Sequence, residues 1–209
     1  ALQRGVIAVL DVGTSKIGCL ILKFEGAENK IDGDGVGSLA GQSGFQVIGS
    51  ALTKSRGIEY GEIVSMPETE RAIRTALQSA QKMANSRVDH VIACVSGGSP
   101  RSYGLEGDMD IKSEIVDDKD IGDVLGACII PSYEIDREIL HAQPVNFSLD
   151  HRTGLSDPRG QIGKHLSVDM HLLTIKEKTI QDLAYCIKRC DLELAGVASS
   201  SYVSALSSL

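Results

Sequence analysis

The sequence predicts an α/β protein, a mixed sheet flanked by helices with a smaller α+β unit inserted into it. Three observations carry this prediction. Two apolar runs, residues 5–10 and 17–22, enclose Asp11-Val12-Gly13-Thr14-Ser15-Lys16 and read as buried strands joined by a tight turn. Helical periodicity and apolar strands then alternate through much of the chain. After Ser96-Gly97-Gly98 the character changes, with loose alternation, an acidic helix start and a Gly- and Pro-bearing loop.

Element by element, the first quarter gives strands at 6–12, 17–24 and 46–52. The Gly-, Asp- and Ser-rich stretch 26–44 is expected to be a long loop between the second and third. Its Gly33, Gly35 and Gly37 do not make a dinucleotide fingerprint, because no strand leads in and no helix follows. From 67 to 84, Ala72, Ile73, Ala76, Leu77, Ala80 and Met83 recur at helical spacing, and Pro67 suits the first turn. A strand at 89–95 follows. After Ser96-Gly97-Gly98 come a loosely alternating segment at 102–112 and a helix at 117–130. That helix carries Ile121, Val124, Leu125 and Cys128, is favoured by Asp117 and Asp120 at its start, and is closed by Pro131. The remainder reads as a strand at 138–149, a turn-rich loop at 150–164, a strand at 166–175, a helix at 176–189 and a strand at 192–198. A last helix begins at Ser199 and is cut short, which is expected of a fragment.

Size and composition limit the function classes. With 209 residues, one large or two smaller domains fit. A net charge of −7 with no Lys/Arg run argues against a nucleic-acid partner. Cys19, Cys94, Cys128, Cys186 and Cys190 are an odd number without a secretory leader, the pattern of reduced thiols in a cytosolic protein. Cys186 and Cys190 lie one turn apart on a predicted helix, but no second pair completes a zinc set. No apolar run approaches the ~20 residues that span a bilayer.

The turn holds the chemistry. Gly13 lets backbone approach an anion, and the N–H groups and hydroxyls of Thr14 and Ser15 can donate to it. Asp11 repels phosphate and suits water around a magnesium ion. No second glycine-rich turn of this kind follows, so half of a nucleotide site is expected. Read without further context, the same turn also fits an ordinary hairpin, where Gly and Thr are common.

The three opening strands, the Asp-Val-Gly-Thr turn and the later helix–strand alternation resemble the superfamily of actin, sugar kinases and chaperone ATPases. Further residues narrow the resemblance: Ser55-Arg56-Gly57-Ile58 with Gly61-Glu62-Ile63, and Val95-Ser96-Gly97. The most specific are His141-Ala142-Gln143-Pro144, Phe147-Ser148-Leu149-Asp150, Gly154-Leu155, Pro158-Arg159-Gly160 and His171-Leu172-Leu173-Thr174. Together, across residues 5–209, they resemble the FtsA family of bacterial cell-division proteins.

That resemblance implies an actin-like (ribonuclease H-like) fold, with subdomain 1A on residues 1–96 and 168–209 and an inserted subdomain 1C on 97–167. It implies ATP with Mg2+, with Gly13, Thr14, Ser15 and Lys16 on the first phosphate loop and Asp11 near the metal through water. By the resemblance the intact protein polymerises, anchors the FtsZ ring at the inner face of the cytoplasmic membrane, and recruits later division proteins such as FtsN through 1C. The second phosphate loop, the adenosine loop, the FtsZ-docking subdomain 2B and the membrane-targeting C-terminal helix would lie beyond these residues.

The region after the last strand, Ala198-Ser199-Ser200-Ser201, offers no Gln or Glu to orient water, so slow or negligible hydrolysis is expected. The acidic stretch 114–120 is either a site for a basic peptide or a solvated helix start. His141 and His171 read as hydrogen-bonded strand residues rather than catalytic ones. Tyr103, Tyr133 and Tyr185 read as packing residues. Two other functions remain open: an actin-fold sugar-type kinase, which shares the turn, and a pilus-assembly relative of FtsA with a similar insert.

Overall fold

A computed structural model describes residues 5–24, 44–112, 114–130 and 136–208. The expected loop at 26–44, with Gly33, Gly35 and Gly37, lies outside the described residues except for its last residue. Pro131 and Tyr133 are also outside them. In chain order the elements are β1 (Val6–Val12), β2 (Lys16–Phe24), β3 (Phe45–Lys54), β4 (Ile58–Glu59), β5 (Glu62–Ile63), α1 (Met66–Ala84), β6 (His90–Val95) and β7 (Arg101–Asp110). There follow α2 (Asp118–Ala127), β8 (Arg137–Leu149), β9 (Arg152–Leu155), β10 (His165–Lys176), α3 (Glu177–Arg189), β11 (Glu193–Ser199) and α4 (Ser200–Leu206).

The chain divides into two compact units, residues 1–98 with 179–209, and residues 99–178. In the first, five strands are ordered β11-β6-β1-β2-β3. β2 pairs antiparallel with β1 and with β3, whereas β6 pairs parallel with β1 and with β11. Alternation in β1 and β2 turns Ala8, Leu10, Val12, Ile17, Cys19 and Ile21 into the core. α1 buries Ala72, Ile73, Ala76, Leu77 and Ala80 at the spacings that periodicity predicts, whereas Met83, expected on the same face, is exposed in the last turn. Its small residues allow close approach to the sheet: a Cβ on Gly49 would sit 2.4 Å from the Ala80 carbonyl oxygen and 2.9 Å from Ala84 Cβ. Asn85 ends the helix in the left-handed conformation, which its side chain tolerates, and its N–H donates to Gln81 O. α3 is tied to α1 by Glu70, whose carboxylate accepts from Arg189 Nε at 2.7 Å and from Arg74 Nη2 at 2.9 Å.

The second unit is an antiparallel sheet ordered β7-β10-β8-β9. Leu105, Phe147, Leu149, Leu166, Val168 and Leu172 pack with Val116, Ile121, Val124 and Cys128 to form its core. Here the structure corrects the expected boundary at 167/168. The strand assigned from 168 onward to the first sheet is β10, which pairs along its length with both β7 and β8, so the boundary falls at 178/179. The physical reason is that Val168 and Leu172 belong to the same inward row as Leu166 and bury against α2's core. The loop expected at 150–164 contains β9, which pairs with the end of β8, and Ile162 bridges to Ile115.

Candidate functional site

β1 and β2 remain in register to Val12↔Ile17, so the reversal is confined to Gly13–Lys16. The Gly13 N–H donates to Lys16 O at 3.1 Å, and a Cβ on Gly13 would lie 3.0 Å from that oxygen. Close backbone approach is therefore what selects glycine. Thr14, Ser15 and Lys16 are exposed. The Ser55 N–H donates to Ser15 O at 3.1 Å and anchors the turn to the end of β3. Lys16 opens β2 and joins the turn through its carbonyl.

Two further segments meet this turn. The Gly61 N–H, in the β4–β5 reversal, donates to Thr14 Oγ1 at 3.0 Å. Gly61 in turn sits on Gly97: a Cβ on Gly97 would fall 2.2 Å from Gly61 O, and one on Gly61 would fall 2.4 Å from Gly97 Cα. On the other side, Ser200 Oγ donates to Asp11 Oδ1 at 2.9 Å. Asp11 is matched in register with Cys94, whose thiol is pushed up by burial and, secondarily, by the Asp11 charge.

Turn, hairpin, the segment after β6 and the start of α4 thus gather at the carboxyl ends of the parallel strands β1, β6 and β11, where open α/β sheets place their ligand crevice. Thr14 and Ser15 can donate hydroxyl hydrogens to an oxyanion, Lys16 carries an ammonium, and Asp11 is a carboxylate beside them. An open cavity of about 440 Å³ adjoins Asp11 and is lined with Val9, Leu20 and Leu52, among others.

The structure brings Asp11, Gly13, Thr14, Ser15 and Lys16 together in one corner and adds Gly61, Gly97 and Ser200. In the sequence Gly61 and Gly97 stand only within short motifs that carry no role for either. Their mutual contact spans 36 residues, and no local signal announces it.

Other singled-out residues have structural partners. Asp117 Oδ1 accepts from the N–H groups of Lys119 at 2.8 Å and Asp120 at 3.0 Å, and Asp120 Oδ2 accepts from the Asp117 N–H at 3.0 Å. Asp118 pairs with Arg159 Nε at 2.8 Å. The acidic stretch is thus largely a capping box. His171 Nε2 meets Ser102 Oγ, and Tyr103 packs on the second core. Tyr185 lies under Arg189, 5.9 Å from ring centroid to guanidinium carbon. Cys186 Sγ lies 3.4 Å from Met66 Sδ, and Cys190 Sγ lies 3.6 Å from Glu70 O. Burial pushes the Cys186 thiol up to about 11. Among the described residues no three His, Cys, Asp or Glu side chains form a metal-holding group, and no helix is long and apolar enough to cross a membrane.

A five-stranded mixed sheet with this order, opened by a tight glycine-bearing hairpin and interrupted by an antiparallel α+β insert, defines an actin-like protein with an inserted subdomain. Residues 97–174 match a family model described as the SHS2 domain inserted in FTSA. The chain is 34% identical over 206 residues to the cell division protein FtsA of Rhizobium meliloti, covering 98% of this chain and 45% of that protein. It is 28% identical over 210 residues to the FtsA of Pseudomonas aeruginosa, covering 100% and 47%. Against the FtsA of Escherichia coli the identity is 23% over 205 residues, covering 96% and 45%. The chain is FtsA-like over nearly its whole length and spans about half the length of these curated relatives. A solved structure, the PilM-PilN type IV pilus biogenesis complex, includes a chain with a TM-score of 0.59 at 9% identity, covering 97% of this chain and 49% of that one. At that identity the likeness is one of fold.

Proposed function

We propose that the protein works in bacterial cell division as an actin-like adaptor that holds ATP with Mg2+ at Asp11, Gly13, Thr14, Ser15 and Lys16. The observation that carries the proposal is the turn itself, set at the carboxyl ends of parallel strands in a chain whose relatives are division proteins. Thr14 and Ser15 donate to phosphate oxygens, Lys16 offsets their charge, and Gly13 keeps the backbone close. Bound Mg2+ supplies charge neutralisation between phosphates, and Asp11 accepts hydrogen bonds from its water shell. Nucleotide acts as an assembly switch with slow or negligible hydrolysis, since the α4 start offers serines only. In this reading the whole protein would self-associate, anchor FtsZ at the inner face of the cytoplasmic membrane, and meet FtsN and other late division proteins through the inserted unit.

Calorimetry with Mg-ATP on this chain, and on one extended to its relatives' length, tests the nucleotide reading. Each charge-assisted hydrogen bond from a second lobe adds roughly 1.5–3 kcal/mol, so tight binding is expected in the longer chain only. Equal tight binding in the short chain would overturn the shared-cleft reading. The pilus-assembly alternative shares the fold, and co-sedimentation of the longer chain with FtsZ separates it from the division role. A panel of sugar substrates tests the kinase alternative.

A further inference from the structure

We infer that Ser200 sets the choice of cation at the nucleotide turn, by holding one oxygen of Asp11 so that the carboxylate serves the metal through water with the other. This rests on the nucleotide reading above and adds to it a residue and a selectivity.

Asp11 Oδ1 accepts the Ser200 hydroxyl at 2.9 Å. The contact is not one between sequence or strand neighbours. Asp11 is matched with Cys94, and Cys94 with Ala198, so β6 lies between the two strands whose ends the bond joins. Within the serine run, Ser199 and Ser201 pair their hydroxyls with each other at 2.8 Å, and Ser200 is the one turned to Asp11. A serine hydroxyl has a single proton to give, and an ionised carboxylate only accepts, so the donor and acceptor roles are fixed.

Cations differ in what they ask of such a carboxylate. Ca2+ readily takes both oxygens of one carboxylate in a loose shell, whereas Mg2+ keeps its waters and needs only an acceptor for them. With Oδ1 engaged and the group's rotation restrained, Oδ2 is the oxygen most open to a cation's water shell. That suits a hydrated Mg2+. Direct two-oxygen contact with Ca2+ would compete with the Ser200 bond for the electron density and orientation of Oδ1. Ser200 is therefore a positioning residue that disfavours the larger ion.

The test is calorimetric ATP binding by the chain extended to its relatives' length, with Mg2+ or Ca2+ as the sole divalent ion. Ser200→Ala is expected to lower the Mg2+/Ca2+ affinity ratio about tenfold, the scale of one charge-assisted hydrogen bond. Ser200→Thr keeps the donor and is expected to retain the ratio, and thermal melts show whether each variant is folded. An unchanged ratio in folded Ser200→Ala, with Asp11→Asn still weakening Mg-ATP binding, overturns the inference and leaves the nucleotide reading standing. No ATP binding by the unsubstituted protein with either ion overturns both.

Discussion

Gly61 and Gly97 touch backbone to backbone, and that contact sets the hairpin that reaches Thr14. Any side chain at Gly97 meets the Gly61 carbonyl at 2.2 Å, and the clash is with backbone that cannot rotate away. Gly97→Ala is expected to destabilise the protein by about 1–3 kcal/mol in urea unfolding, the usual range for overpacking. Thr14→Val removes the acceptor for the Gly61 N–H, with an expected loss of about 1 kcal/mol and weaker Mg-ATP binding by calorimetry. Next to Gly61, Tyr60 holds φ at 50° with its side chain 95% exposed, so it is strained without packing in return. Tyr60→Gly is expected to raise stability by about 0.5–1 kcal/mol, relief of the left-handed strain exceeding the added chain entropy.

At the scale of elements, the second unit rests on how α2 lies against β7 and how carboxylates hold its turns. A Cβ on Gly107 would fall 2.6 Å from Val124 O and 2.8 Å from Cys128 Sγ, so the helix sits where only glycine allows it. The Asp120 N–H foremost, with that of Lys119, holds the Asp117 carboxyl below its usual range. The N–H groups of His165 and Lys164 do the same for Asp150. A depressed carboxyl stabilises the fold above its unfolded pKa, about 3.9, and that contribution is lost as pH falls through the folded value. His141 is also depressed, by burial first and by the His171 charge second. Its contribution is complete above about pH 6.5 and is lost as pH falls through its lower folded value. The expected pH–stability profile has two declines on the acid side, read as thermal midpoints. His141→Gln should flatten the first, and the double change Asp117→Asn with Asp150→Asn the second. A profile unchanged in both variants would refute the assignment.

At the scale of the whole molecule, two units with separate sheets and cores share one chain. The inserted unit begins and ends on paired neighbours, since Arg101 at the start of β7 is matched with Thr174 near the end of β10. An insert whose chain enters and leaves side by side closes on itself and has no structural need for its host. Residues 99–178 expressed alone are therefore expected to fold, with dispersed amide NMR signals and a cooperative melt. A spectrum of a collapsed, unfolded chain would show that the first unit is needed.

The sequence by itself determined most of the elements and the residue types of the first turn. Alternation over Ala8, Leu10, Val12, Ile17, Cys19 and Ile21, helical spacing over 72–80, and Asp11-Val12-Gly13-Thr14-Ser15-Lys16 are local patterns set by covalent geometry and side-chain type. A strand's residues do not say which sheet it joins. The boundary therefore falls at 178/179 and not near 168, because β10 lies between β7 and β8, where Leu166, Val168 and Leu172 share one core. Only the tertiary structure decided the Gly61–Gly97 contact, the Thr14–Gly61 bond and the Ser200–Asp11 bond, which spans 189 residues. Each depends on strand order and register, and these are settled by burial of whole faces rather than by any short run of residues.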